Sequence, residues 1–121
     1  MVIDASIFID HLRKTNRSHT YFAQIPPQTQ LYVSAVTVYE LLAGTTHANK
    51  IRDANLLLSA TTILPIDENV AVIAAQLYQQ MKSNSIGLAD TLIAATALHY
   101  NLLIKTLNEK HFSRVAGLAV L

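Results

Sequence analysis

Four oxygen-bearing side chains, Asp4, Glu40, Asp90 and Asn108, each stand in or beside an apolar run of this 121-residue chain. Brought together they would form a site with a marked electrostatic cost. Two carboxylates ~5 Å apart repel by about 3 kcal/mol at an effective dielectric of ~20. Three together are tolerable only with protons or a cation between them. Hard oxygen ligands without thiolate or imidazole suit Mg²⁺ or Mn²⁺ better than Zn²⁺. Such an ion activates water and stabilises a phosphoryl transition state, so metal-assisted phosphodiester hydrolysis is the chemistry this set would support. Singly, each residue has a plainer reading. Asp4 would cap a following helix, Asp90 would sit in a first helical turn favoured by the dipole, Glu40 would be solvated, and Asn108 would occupy a turn.

The elements that must position these residues alternate in type. Strands are expected at 2–4, 31–33, 62–64, 102–105 and 118–120, each a short apolar run. Helices are expected at about 6–14, 18–24, 35–42, 47–60, 68–82, 88–100 and 109–113. Ser34 and Asp67 stand where N-caps are needed, Gly44 where a helix should end, and Pro26-Pro27 and Ser85-Ile86-Gly87 where the chain should turn. Strands alternating with helices argue for a parallel sheet covered on both faces. In such sheets ligands bind beyond the carboxyl ends of the strands. Asp4 ends the first strand and Asn108 follows the fourth. Glu40 is two turns into its helix, and helical side chains lean back toward the amino terminus. Asp90 occupies the first turn of its helix. The spacing therefore predicts one shared edge for all four. The 88–100 helix, LADTLIAATALHY, is apolar nearly all round, which predicts burial on more than one side, by the sheet and by a second subunit.

Composition sets outer bounds. A single domain over residues 1–121 is expected, at 51% hydrophobic and 14% charged residues. There is no cysteine, which excludes disulfides, thiolate metal sites and cysteine nucleophiles. The N-terminal run has no basic flank, and Asp4 and Asp10 interrupt it, so it does not read as a signal peptide. No apolar stretch approaches ~18 residues, and a cytoplasmic protein without a membrane span is expected. The net charge of +1 says little about partners, and the one basic cluster, Arg13, Lys14 and Arg17, reads as a solvated helix end or as an RNA-backbone contact.

Four blocks carry a family resemblance: IDASIFIDHLR at the start, VSAVTVYELLAG at 33–44, IGLADTLIAATAL at 86–98 and LLIKTLNEKHF at 102–112. In this order and spacing the chain resembles PIN-domain proteins, specifically the VapC-type toxins of toxin–antitoxin pairs. The resemblance implies a three-layer α/β/α sandwich around a five-stranded parallel sheet, and Mg²⁺-dependent endoribonuclease activity, with Mn²⁺ able to substitute. It implies Asp4, Glu40 and Asp90 as the metal-binding acids and Asn108 as the fourth catalytic position, with Ser6 and Thr106 as secondary polar residues. It further implies a homodimer, an RNA substrate and an antitoxin that inserts a segment at the active site. Three departures accompany it. Ser6 stands where the family often has Asn, Asn108 where many members have Asp, and the first strand begins almost at Met1. All three acids are kept, so an active enzyme is expected. The alternatives are a catalytically weak PIN-fold binding module for RNA or protein, and a non-toxin RNA-processing nuclease. A haloacid-dehalogenase-type phosphatase needs a second acid two residues after the first, where this chain has Ser6. A receiver domain needs an acidic pair near Asp4.

Overall fold

A computed structural model describes all residues, 1–121. In chain order the elements are β1 (Val2–Ile3), α1 (Ala5–Arg13), β2 (Tyr32–Ser34), α2 (Ala35–Ala43), α3 (Ala48–Ser59), β3 (Thr62–Leu64), α4 (Glu68–Met81), α5 (Leu88–His99), β4 (Ile104–Lys105) and α6 (Glu109–Phe112), with a 3-10 turn at Lys82–Asn84. The strands pair in parallel in the order β3-β2-β1-β4. In place of a fifth strand the C-terminus contributes a single parallel bridge between Val120 and Ile104.

The central strand β1 is buried on both faces, while Thr62 and Ile63 of the edge strand β3 are exposed, and successive side chains of β1 alternate between two cores. Val2 points into a cluster with Ile93, Ile104, Phe112 and the inner faces of α4 and α5. Ile3, the next residue, points into the other cluster with Ile7, Phe8, Val33, Leu41 and Leu58, on the side of α1, α2 and α3. Three layers result. The chain runs from β1 outward to β3 and then returns to the other side of β1 to form β4. That reversal is why the first three helices and the last three cover opposite faces. It also makes the gap between β1 and β4 a topological switch point, where the loops beyond the two strands diverge and leave a crevice.

Local signals set most boundaries. Ser34 Oγ accepts the Val36 N–H at 3.2 Å and Asp67 Oδ1 accepts the Val70 N–H at 3.0 Å, so both residues cap as their types predict. Two expectations are corrected. Residues 18–24 form turns rather than a helix. Asn16 Oδ1 accepts from the Ser18 N–H and hydroxyl, and Thr20 Oγ1 accepts the Ala23 N–H, so side chains there take donors that a helix would use. The apolar helix α5 is covered by α4 from its own chain, with Ala74 and Leu77 packed in the same core as Ile93 and Ala97. Its burial does not require a second subunit. No helix is long and apolar enough to cross a membrane.

Candidate active site

Asp4 follows β1 directly and takes the N-cap position of α1, yet its side chain makes no cap hydrogen bond. Its carboxylate instead turns toward the loop after β4. Ser6 and Thr106 each donate a hydroxyl to Asp4 Oδ2 at 2.7 Å. The two hydroxyls stand 3.4 Å apart. Behind them, the Leu107 N–H donates to Ser6 Oγ at 3.0 Å and the Asn108 N–H to Thr106 Oγ1 at 2.9 Å. Two relays from N–H through O–H to carboxylate therefore fasten Asp4 across the switch point, and each link polarises the next. Asp4 and Thr106 are buried, at 2% and 4% exposure. Asp4 Oδ1 receives no donor from the protein.

Glu40 and Asp90 complete an acidic cluster around this anchor. Glu40 lies on α2, and its buried Oε1 has no hydrogen-bond partner. Burial pushes its carboxyl above the ordinary range, and the charges of Asp4 and Asp90 push it further. Asp90 lies in the first turn of α5. Burial raises its proton affinity, the hydrogen bond from His111 opposes this, and the charge of Asp4 adds to the rise. The structure thus places Glu40 within the field of Asp4 and Asp90, and Asp90 within that of Asp4. Asn108 joins through its backbone N–H, and its side chain is exposed and makes no hydrogen bond.

His111 is a site residue that sequence reasoning does not find. Its Nδ1 stands 3.3 Å from Asp90 Oδ2. The one signal for it is its position three residues after Asn108, one turn along α6, which carries its ring back toward α5. The basic cluster of the sequence divides in the structure. Lys14 pairs with Asp10 at 3.9 Å and Arg17 with Asp53 at 3.2 Å, while Arg13 pairs with nothing.

By donor type, this set suits a hard divalent cation. Carboxylate oxygens dominate it, and Glu40 Oε1 and Asp4 Oδ1 lack protein partners. No three Asp, Glu or His side chains are gathered closely enough to hold a metal ion between them. Mg²⁺ does not need a closed cage, since it keeps several waters and takes one or two carboxylates directly. The remaining acids would then act through such waters. A closed tetrahedral zinc site is a poor match.

The chain matches the PIN-domain family model over residues 1–118. It is 32% identical to ribonuclease VapC10 of Mycobacterium tuberculosis, covering 93% of this chain and 85% of that one. It is 35% identical to ribonuclease VapC1 of Rickettsia felis, with 100% and 94% covered. Among solved structures it resembles a toxin–antitoxin complex from Klebsiella pneumoniae, with a TM-score of 0.79, 27% identity, and 99% and 94% of the two chains covered. The parallel sheet with its anchored acid at the switch point, the four sequence blocks and these relatives agree: the chain belongs to the PIN-domain family, among the VapC-type proteins.

Proposed function

We propose that this protein is a Mg²⁺-dependent endoribonuclease, the toxin of a toxin–antitoxin pair, acting on RNA in the cytoplasm. The observation that carries the reading is the partnerless, buried Oε1 of Glu40 facing the fields of Asp4 and Asp90. Glu40 and Asp90, raised first by burial and then by neighbouring carboxylate charge, are groups that a cation would relieve. When bound, Mg²⁺ or Mn²⁺ supplies an activated water and charge neutralisation at the scissile phosphate.

The residues of the chain have separable tasks. Asp4, held through Oδ2, presents Oδ1 in a fixed direction. Asp90 is steadied through Oδ2 by His111. Glu40, with its raised proton affinity, is suited to take a proton from an attacking water. Asn108 offers an exposed amide beside Thr106, able to orient a water without adding charge. The relatives' names supply the substrate class, and the Klebsiella pneumoniae toxin–antitoxin complex supplies the toxin role and an antitoxin as partner.

A homodimer completes the proposal. Val72, Tyr78 and Leu88 on α4 and α5 are 50%, 62% and 80% exposed, beside an apolar groove of about 400 Å³. The test of the activity is RNA cleavage by purified protein in Mg²⁺ and in EDTA, with Asp90→Asn alongside. Cleavage that needs the metal and falls roughly a hundredfold or more in Asp90→Asn is expected. Equal cleavage by a folded Asp90→Asn protein would contradict it.

A further inference from the structure

The cleft that adjoins Glu40 holds two cations that the acidic cluster does not use. It lies between α1, α2 and α3 and has a volume of about 200 Å³. Ile9, Leu12 and Leu41 line it together with Glu40, Arg13 and Lys50. That is space for roughly six or seven waters at ~30 Å³ each, enough for a phosphodiester group.

Neither cation has a pairing partner, and only Arg13, in the last turn of α1, gains from a helix dipole. Arg13 belongs to a basic cluster whose other two members are paired, and it alone makes no ion pair or hydrogen bond. Lys50 is exposed and equally unpaired. It stands in the first turn of α3, a turn that holds no acid although the helix dipole favours one there. A residue that breaks a local rule without local compensation points to function. The α2 end of the cleft is not a bare row of carbonyls either. The Gly44 N–H donates to Glu40 O at 3.2 Å and the Thr45 hydroxyl to Leu42 O at 3.1 Å.

Three clustered acids repel a polyanion, so a strand reaching them needs cations along its path. We propose that Arg13 and Lys50 bind a backbone phosphate of single-stranded RNA neighbouring the scissile one, and so lead the strand past Glu40 to the acids. This rests on the ribonuclease reading. It assigns the cleft a substrate subsite with sequence-independent contacts, since phosphates carry no base identity.

The test uses a labelled single-stranded RNA oligonucleotide with wild type, Arg13→Ala, Lys50→Ala, the double variant and Lys82→Ala, a charge-matched control outside the cleft. Binding is read in EDTA, where nothing is cut, and KM and kcat in Mn²⁺. Each cleft substitution should weaken binding roughly tenfold. The slope of log affinity against log salt should flatten by about 0.7 for each phosphate that a variant no longer neutralises on a single strand. KM should rise with kcat within about twofold, while Lys82→Ala behaves as wild type and Arg13→Lys with Lys50→Arg restores the salt slope. A double variant whose affinity, slope and KM match Lys82→Ala overturns the inference while leaving the nuclease standing. If wild type fails to cleave, binding in EDTA still decides on the cleft. A Glu-rich decapeptide whose binding depends on Arg13 and Lys50 when RNA binding does not would make the occupant a protein segment, and would also overturn it.

Discussion

Thr106 and Asp4, 102 positions apart in sequence, are joined by a 2.7 Å hydrogen bond from the Thr106 hydroxyl to Asp4 Oδ2. Because β1 and β4 are neighbours only through the reversal of strand order, this bond closes the switch point and aims the carboxylate at once.

Thr106→Val should therefore act on both stability and activity. It removes a charge-assisted bond and leaves the Asn108 N–H without its acceptor. A loss of about 1.5–3 kcal/mol is expected in urea denaturation. Cleavage should fall with it, and Thr106→Ser should recover most of both. An unchanged urea midpoint in Thr106→Val would show that the relay does not hold the loop.

The raised carboxyls of Glu40 and Asp90 give the ion-free protein a definite pH trend. In each case the folded state binds its proton more tightly than the unfolded chain. Stability contributed by these groups is thus present at low pH and is lost as pH rises from the ordinary carboxylate values through the raised folded ones. Glu40→Gln should be more stable than wild type above that window in EDTA, with the gap closing below about pH 4. Mg²⁺ should shrink the gap at neutral pH, since an ion bound by the native state raises the Tm of wild type more. A gap independent of pH would detach Glu40 from the acidic cluster.

Much of this is legible in the sequence because it depends on local chemistry. Strand–helix alternation alone puts Asp4, Glu40 and Asp90 on one edge, and Ser34 and Asp67 cap as their side chains dictate. The turns at 18–24 escape a pattern reading because Asn16 and Thr20 compete with helix formation through specific side-chain bonds. The cover over α5 escapes it too, because a helix pattern shows that a face is buried, not what buries it. His111 and the pairing of Arg17 are tertiary facts. The His111–Asp90 and Arg17–Asp53 contacts depend on where α6 and α3 come to lie, whereas the Lys14–Asp10 pair is an i,i+4 spacing legible in the sequence.

Under the proposed function the exposed Asn108 amide would supply an uncharged oxygen where a carboxylate would add to the cluster. Asn108→Asp should tighten Mn²⁺ binding several-fold in calorimetric titration, since the added charge favours the cation, and activity should hold or rise. An unmoved Mn²⁺ affinity, with activity also retained in Asn108→Ala, would place the side chain outside the site and leave only its backbone N–H in the relay.

Assembly is tested at the apolar patch. Light scattering at micromolar concentration should give a dimer, and Leu88→Asp, which buries a charge if the patch is an interface, should give a folded monomer. A wild-type monomer at that concentration would remove the homodimer from the account.

In the proposed reaction the acidic residues direct a water, with a divalent ion, against an RNA phosphodiester. The most direct measurement is the chemistry of the ends it leaves. RNA cut in Mg²⁺ should carry a plain hydroxyl on one fragment and a phosphate monoester on the other, with no 2′,3′-cyclic phosphate, and Asp4→Asn should leave the RNA intact. Cyclic phosphate ends formed equally well in EDTA would mean that the ribose hydroxyl, not water, attacks, and would contradict the account.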